Sequence, residues 1–514
     1  MSRQTFIQGT LILVAAGMIT RFLGFINRIV VARIMGEEGV GLYMMALPTL
    51  FLMITLTQFG LPVAISKRVA EADAKGDRKK IKNILIVSFT ITLTLSIIFT
   101  AGFIILSPII ATYLLTDERA LYPILAISPI VPIVAVSAVI RGYFQGLQNM
   151  KPQAVSQIIE QLVRITLVAV LTKALLPYGV EFAASGAMIS VVIGECCALI
   201  YIVHHFKIKK SFKLLKNISR SIKKGKQTLQ ELLSIAVPTT GSRLVGSVTF
   251  FLEPILVSQS LAIAGFSVAA STKLYGELTG FVMPLLLLPT FITHSLSTAL
   301  IPSISEAEAK KQHKLIHFRI HQAIRFSFAS GALATVIFYL FAEPILKFMY
   351  NDTDAAYFVT FMAPFFLMLY FQAPLQAALQ SLDLARQAMY NSIIGSIVKF
   401  IVLIVLASQP QFGIAGVAIS IVTGVVLVTV LHFAVLWKEI SLRIPWRDAG
   451  RMIALSILIL TCGKYLYKLL PQASDSLIVL GLVMLLLGAV YVILLMALKF
   501  VTRDELAQLP FINR

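Results

Sequence analysis

The sequence predicts an all-helical integral membrane protein with about fourteen transmembrane helices. The 514 residues are 58% hydrophobic and 13% charged, with a mean hydropathy of +0.88, whereas about a quarter of an ordinary soluble domain is charged. The apolar residues come in blocks of about 20 or more, long enough to cross a hydrocarbon core of roughly 30 Å as helices. The connectors between the blocks are too short to fold as a separate soluble domain, so a soluble protein is excluded.

Hydropathy gives the position of each helix along the chain. The first segment is too long for a cleavable signal peptide and carries Arg21 and Arg28 in its apolar run, so we expect it to stay as a membrane helix. The predicted helices are 6–33, 41–65, 83–113, 121–145, 155–176, 182–205, 230–258, 270–301, 320–349, 355–381, 389–408, 413–437, 449–470 and 476–500.

The positive charge is concentrated in every second connector. The net charge is +20, and basic residues crowd 66–82, 206–229, 302–319 and 438–451, while the connectors between these are poor in Lys and Arg. The positive-inside rule then predicts a multi-pass protein with both termini in the cytoplasm. Basic loops between membrane helices fit a surface of anionic lipid, which excludes nucleic acid as a partner.

An internal repeat divides the chain. "AEADAKGD" at 70–77 recurs as "SEAEAKKQ" at 305–312, and "GAMISVVIG" at 186–194 recurs as "GVAISIVTG" at 416–424. Each copy holds six helices, and because six is even both copies have the same orientation in the membrane. We therefore expect two six-helix lobes with a central cleft that opens to one side and then the other by rocking.

The repeat sets the predicted domain limits. The N-lobe, helices 1 to 6, covers 1–205, and a basic cytoplasmic linker covers 206–229. The C-lobe, helices 7 to 12, covers 230–437. Helices 13 and 14, in 449–500, stand outside the repeat.

Four basic residues are predicted to form a cationic cavity between the lobes. An ionisable side chain costs roughly 2.5 to 3.5 kcal/mol at the centre of a membrane helix, so each needs a wet or paired environment. Arg21 and Arg28 share one face of helix 1, Arg243 is the repeat mate of Arg21, and Lys273 opens helix 8. The planar guanidinium group of arginine can donate two parallel hydrogen bonds to a phosphate or diphosphate. The alternative is that these cations reach the membrane interface or form structural ion pairs.

Other charged residues at membrane depth have two interpretations each. Glu277 lies one turn from Lys273, so it either forms a local ion pair with this lysine or acts in gating or coupling of transport. Glu253 is a second candidate for gating or coupling. Arg164 and its repeat mate Lys399 are candidate contacts at the inner mouth, or structural partners of nearby acids such as Glu160.

No motif predicts catalysis or a cofactor. The three cysteines lie within apolar blocks and have no metal-ligand spacing. Neither a nucleophile with its base nor a glycine-rich phosphate loop is present. We expect no enzyme activity, no metal and no cofactor.

Three segments carry a resemblance to a known family. "TRFLGFINRIVVARIMG", "FGLPVAISKRVAEADAKGD" and "RGYFQGLQNMKPQAVSQIIEQLVRI" resemble the polysaccharide exporter and flippase branch of the multidrug/oligosaccharidyl-lipid/polysaccharide (MOP) superfamily. The resemblance covers nearly the whole chain. It implies a MATE/MurJ-like fold, a location in the plasma membrane and flipping of undecaprenyl-diphosphate-linked saccharides such as lipid II. It also implies a role in spore cortex peptidoglycan synthesis, with cell-wall synthesis proteins as partners.

The resemblance also implies positions for the substrate. Relatives that flip lipid II use basic residues of helices 1, 2 and 8, and Arg21 and Lys273 match two of these. Asn27 stands where a basic residue is expected, with Arg28 beside it, and helix 2 lacks the expected arginine, which puts the identity of the substrate in doubt. In those relatives the last two helices form a groove for the lipid tail, and helices 13 and 14 are expected to do the same here.

The sequence therefore predicts a lipid-linked oligosaccharide flippase that works by alternating access. Its rivals are a cation-coupled multidrug exporter, a non-transporting scaffold for cortex synthesis and a membrane-embedded transferase. An exporter of cations needs a carboxylate in the cleft, and helix 1 offers only positive groups there.

Overall fold

The chain forms only helices within the part that the computed structural model describes, residues 6–209, 225–443, 446–469, 476–498 and 500. This confirms the predicted all-helical class. In chain order the helices are α1 Phe6–Gln58, α2 Leu61–Ala74, α3 Arg78–Ile109, α4 Leu121–Ile127, α5 Ile130–Gly146, α6 Lys151–Leu175, α7 Val180–Lys209, α8 Lys226–Ile263, α9 Val268–Gly276, α10 Met283–Leu286, α11 Thr290–Ala309, α12 His313–Tyr350, α13 Ala356–Ser381, α14 Ala385–Ala407, α15 Gly413–Ile440, α16 Trp446–Leu469 and α17 Leu477–Ala497.

Twelve helical stretches in the described residues are long and apolar enough to cross a membrane, and a bent pair gives a thirteenth if it is one span. The first stretch, Ala16–Ala74, has 59 residues, which is roughly 90 Å of helix at 1.5 Å per residue. It contains a bend at Gly36, where φ is 66° and the backbone is not helical. The predicted count of fourteen stays a prediction.

The predicted end of helix 2 at residue 65 is wrong. The second part of α1 ends at Gln58, and α2 starts separately at Leu61. Gly60 takes a left-handed conformation with φ 60°, which glycine adopts without steric cost. Pro62 lies in the first turn of α2, where its missing N–H breaks no helical hydrogen bond.

Helix 8, predicted as one helix over 270–301, is broken in two. Val268–Leu286 and Thr290–Ala309 meet at an angle of 53°. Pro289 stands at the break as the N-cap of α11, and proline cannot continue the hydrogen bonding of the preceding helix.

Two predicted basic connectors are largely helical. α11 continues to Ala309 and α12 begins at His313, within the expected loop 302–319, and α2 and α3 likewise cover most of 66–82. Hydropathy locates only the apolar part of each helix. Lys, Glu and Ala are good helix formers, so these helices continue into the polar region.

The helix ends confirm the internal repeat. Ala74 and Ala309 end α2 and α11, and Gly146 and Ser381 end α5 and α13, each pair 235 positions apart. The same spacing separates three pairs of residues with positive φ: Gly76 and Lys311, Thr116 and Asn351, and Gln148 and Asp383. The two copies therefore turn the chain at equivalent points.

The chain divides into two compact units, Met1–Gly280 with Ser408–Pro410, and Phe281–Ala407 with Gln411–Arg514. The first unit has a core of buried side chains from α2, α3, α5, α7 and α8, including Ile65, Phe144 and Leu232. The core of the second unit joins α11, α12 and α13, the repeat mates of α2, α3 and α5. The predicted lobe limits at 205 and 230 stay a prediction.

Candidate functional site

Arg21 and Arg28 lie on the part of α1 before the Gly36 bend. Arg21 is exposed and Arg28 is half-buried. Neither forms an ion pair or a hydrogen bond with a residue that the structure describes. A side chain at Gly24, between them, would meet no described atom within 4 Å. This face of α1 therefore presents two cations beside an open stretch of backbone.

Arg243 on α8 repeats this arrangement. It is exposed, it has no polar partner among the described residues, and Gly246 one turn later has no described atom near it. The helix itself is firmly placed against α1: the Thr55 and Ser247 hydroxyl oxygens are 2.7 Å apart, and the rings of Phe51 and Phe250 are 5.8 Å apart. The exposed cation thus extends from a well-packed helix.

Lys273 on α9 is paired. Its Nζ lies 2.8 Å from a carboxylate oxygen of Glu37 and 3.8 Å from one of Glu277. The Glu277 side chain is 4% exposed, and the Lys273 side chain is 46% exposed. The local pair between Lys273 and Glu277 is therefore present, together with a stronger partner on α1 that the sequence did not suggest.

A second set of charges adjoins Lys273. Arg119 donates to Asp117 at 2.9 Å and to Glu38 at 2.6 Å. Thr272, the neighbour of Lys273 in the chain, donates from its hydroxyl group to Asp117 at 2.7 Å. Only 2% of Asp117 is exposed, so its buried charge depends on these donors. We call the seven residues the Lys273 charge cluster: Glu37, Glu38, Asp117, Arg119, Thr272, Lys273 and Glu277.

Two glycines allow this cluster to form. A Cβ atom at Gly41 would overlap the carbonyl group of Thr272, and one at Gly276 would overlap the carbonyl oxygen of Glu37. The backbones of α1 and α9 therefore meet directly, which is possible only where both helices lack side chains. This contact fixes Lys273 opposite Glu37.

Glu253 on α8 is half-buried. It lies close enough to the buried Tyr275 on α9 for their charges to interact. The coupling role predicted for Glu253 and Glu277 stays a prediction.

A buried ionic network joins α5, α6 and α7. Arg141 donates to Glu195 at 2.8 Å, and Arg164 donates to Glu160 at 2.5 Å. Glu195 also interacts electrostatically with Glu160, so the two pairs form one network. The Nε atoms of both arginines are buried and have no hydrogen-bond partner among the residues that the structure describes. Arg164 therefore pairs with Glu160 in this structure. Of the two interpretations of Arg164 from the sequence, this is the structural pairing.

Lys399, the repeat mate of Arg164, has a different environment. Its stem packs against Gly424, where an added Cβ would come within 3.2 Å of the lysine Cβ. Its ammonium group lies 5.9 Å from the centre of the Phe400 ring. A role at the inner mouth stays a prediction for both residues.

The structure does not join the four predicted binding cations by any polar contact between described residues. All four belong to the first unit, with Arg21 and Arg28 on α1, Arg243 on α8 and Lys273 on α9. The predicted common cavity stays a prediction.

Sequence reasoning missed Arg141 and the cluster around Arg119. Arg141 stands in the apolar run "IVPIVAVSAVIRGYFQG", which is the same signal that identified Arg21, so it was available. Arg119 lies in a short connector, and no local pattern indicates that Glu38 lies beside it. That contact depends on the tertiary fold.

Comparison with known proteins identifies relatives along the whole chain. A family model described as "Polysaccharide biosynthesis protein" matches residues 6–308, and a second, described as "MatE", matches residues 278–405. The chain is 53% identical over 519 residues to the stage V sporulation protein B of Bacillus subtilis (strain 168), covering 100% of this chain and 99% of the relative.

Solved structures share the fold. The lipid II flippase MurJ in an inward closed conformation aligns with a TM-score of 0.69 and 15% identity, covering 94% of this chain and 98% of the other. An inward-facing multidrug resistance MATE family transporter of the MOP superfamily aligns with a TM-score of 0.65 and 17% identity, covering 82% and 94%. The predicted MATE/MurJ-like fold is confirmed.

Proposed function

This chain belongs to the polysaccharide biosynthesis protein family and is a transporter of the MOP superfamily, and from that premise we propose that it flips an undecaprenyl-diphosphate-linked oligosaccharide across the plasma membrane. The observation that carries the proposal is the pair of exposed arginines, Arg21 and Arg243, which have no protein partner among the described residues. A guanidinium group at membrane depth is costly unless water or an anion accompanies it.

The headgroup of such a substrate matches these cations. A diphosphate offers several oxygens to a planar guanidinium group, which grips them with two parallel hydrogen bonds. The open backbone at Gly24 and Gly246, each one turn after an arginine, leaves room for the sugar. Arg28 and Lys273 complete the proposed binding set, and Lys273 would share its charge between Glu37 and the substrate.

The lipid tail needs an apolar path, and the second unit has a candidate. A cavity of about 340 Å³ lies between α12, α13 and α16. Its lining is almost wholly apolar, and its residues are Ala332, Thr335, Val336, Tyr339, Pro364, Leu367, Ser456 and Leu460. α16 is the predicted helix 13, so this cavity supports the proposed contribution of the last two helices to a tail groove.

We place this transport in spore cortex peptidoglycan synthesis, because the 53% identical relative is named a sporulation protein. Movement occurs by alternating access, with both termini in the cytoplasm and cell-wall synthesis proteins as partners. Lipid II is the lipid-linked saccharide to test first, since one protein of the same fold is the lipid II flippase MurJ.

A reconstitution assay tests the proposal. Proteoliposomes containing wild-type protein, the R21A/R243A variant or the R78A/R386A variant are compared for flipping of fluorescent lipid II. Arg78 and Arg386 are exposed at helix starts, so the control removes the same charge elsewhere. Hydrogen bonds to charged groups contribute about 1.5 to 3 kcal/mol each, so R21A/R243A should lose at least about 100-fold in rate while the control retains it.

The same liposomes separate the rivals. The match of residues 278–405 to the MatE family model favours a cation-coupled drug exporter as the second candidate. Transport of a drug-like cation without lipid II would establish that function and refute ours. Normal sporulation in cells carrying well-folded R21A/R243A would instead indicate a scaffold.

A further inference from the structure

A small cavity lies between α11 and α12 of the second unit. Its volume is about 110 Å³, larger than the roughly 30 Å³ that one water occupies in the liquid. Most of the lining is apolar, from α11 residues such as Leu296 and Leu300 and from α12 residues such as Phe326. Its polar groups belong to Ser303, Arg319 and Gln322. The cavity thus combines an apolar wall with one cation.

One edge of the Arg319 guanidinium group donates no hydrogen bond to a residue that the structure describes. Nη1 donates to the Gln322 side-chain oxygen at 3.1 Å. Nε is buried without a hydrogen-bond partner, and no described residue accepts a hydrogen bond from Nη2. The Nε–Nη2 edge is the fork that grips two oxygens of a phosphate or carboxylate group. A buried donor without an acceptor is costly, so an acceptor from outside the chain is expected.

No carboxylate of a described residue forms an ion pair with Arg319. Residues 309–342 contain no Asp or Glu, and the acids at the end of α11 are Glu306 and Glu308, both exposed. Glu306 is already bonded to Lys310. Lys311 and Lys314 add further positive charge at the same end of α12. The positive electrostatic potential at this end of α12 therefore favours binding of an anion.

Comparison between the repeat copies shows that the fold does not require this arginine. The N-caps of α3 and α12 are Asp77 and Gln312, which are 235 positions apart. Arg319 is therefore the mate of Ile84, which is completely buried in the core of the first unit. The second copy has an arginine and a cavity where the first copy has a packed apolar side chain.

The depth of the cavity indicates a lipid. Arg319 is six residues from the start of α12 at His313, or about 9 Å along the helix. Ser303 of α11 lies at a similar distance from the turn that joins α11 to α12, because it is six residues before the end of α11 at Ala309. Lys310 and Lys311 in the turn and Lys314 on α12 lie beyond this point, so the cavity is placed at the boundary between headgroups and acyl chains of the leaflet that this turn faces.

We propose that Arg319 and Gln322 form a binding site for the phosphate group of a membrane lipid, with the acyl chain against the apolar wall of α11 and α12. The site is separate from the four proposed transport cations, which belong to the first unit. It does not depend on what the protein transports.

Native mass spectrometry of the purified full chain tests the site. The protein is titrated with phosphatidylglycerol, undecaprenyl phosphate, diacylglycerol or inorganic phosphate. We expect one tightly retained phosphate-bearing lipid, no comparable retention of diacylglycerol, and at least about tenfold weaker lipid binding in R319Q, because the paired hydrogen bonds are lost. Phosphatidylglycerol and undecaprenyl phosphate distinguish a bulk phospholipid from a carrier lipid.

Two variants control the experiment. K314Q removes one positive charge from the same end of α12 but does not line the cavity, so it should bind lipid as the wild type does. R319K keeps the charge and loses the planar fork, so its affinity should lie between those of R319Q and the wild type. Unfolding temperatures of all variants exclude misfolding. Equal lipid retention by R319Q and wild type, or binding of inorganic phosphate alone, would overturn the proposal.

Discussion

The two repeat copies share their backbone turns but differ in their charges. Both turn at positions 235 residues apart, with positive φ at Gln148 in one and Asp383 in the other. In the first copy, Arg141 and Glu160 belong to the buried ionic network of α5, α6 and α7. Their mates in the second copy are Gln376 and Gly395. The fold therefore depends on turns and close helix packing, and the buried network of Arg141 and Glu160 is an addition that the mates of these two residues do not repeat.

Replacing Arg141 by leucine should have the largest effect. The Glu195 side chain is only 5% exposed, and removing one partner of a buried pair leaves an uncompensated charge that costs about 3 to 5 kcal/mol. Its repeat mate Gln376 is exposed, so Q376L should change stability by less than about 0.5 kcal/mol. Thermal unfolding of the purified protein in detergent measures both.

A double variant distinguishes the charge from the packing at this site. R141L/E195L removes both partners, and replacement of a buried ion pair by apolar groups is often neutral. The double variant should therefore recover most of the stability lost in R141L. Equally small losses of stability in R141L and Q376L would show that the first copy does not depend on its ionic network.

The glycines that both copies share should give a smaller but equal effect. A Cβ atom at Gly186 would lie 2.9 Å from the carbonyl oxygen of Leu171, and one at Gly416 would lie 2.7 Å from the backbone nitrogen of Ala407. Backbone atoms cannot move away as a flexible side chain does. Each alanine variant should therefore lose about 1 to 3 kcal/mol, as measured by thermal unfolding.

Gly102→Ala is the matched control, because a side chain there meets no described atom within 4 Å. Alanine in an open helix position is neutral or stabilising. A large loss in G186A but none in G416A would show that the α6–α7 and α14–α15 contacts are not equivalent.

The sequence predicted the features that depend on local composition. Long apolar runs gave the helices, and the matched motifs at 70–77 and 305–312 gave the repeat, which the ends of α2 and α11 confirm. The break at Gly60 was missed because a left-handed residue between two apolar stretches leaves no mark in hydropathy.

Partners of the charged residues were harder to predict. The pair of Lys273 with Glu277 follows from helical spacing alone. Its shorter contact with Glu37 requires α1 to bend at Gly36 and to meet α9 through Gly41 and Gly276. Such contacts depend on tertiary packing, so a single sequence identifies the charged residues without their partners.

The smallest predicted difference concerns a turn that both copies build in the same way. The Asp117 carboxylate accepts the backbone N–H of Arg119 at 3.0 Å, and that of Asp352, its repeat mate, accepts the N–H of Asp354 at 2.8 Å. Asp117 also binds the Arg119 side chain and Thr272. The turn hydrogen bond by itself should contribute about 1 kcal/mol.

D117A should lose that bond together with the contacts to Arg119 and Thr272, for a total loss of about 2 to 3 kcal/mol, because hydrogen bonds to charged groups are the stronger ones. Thermal unfolding of the purified variant measures the loss. A T272V variant removes one donor and should account for part of it. A loss of only about 1 kcal/mol in D117A would mean that the Lys273 charge cluster adds nothing beyond the turn, and the asymmetry of charge between the copies would then be confined to the buried network.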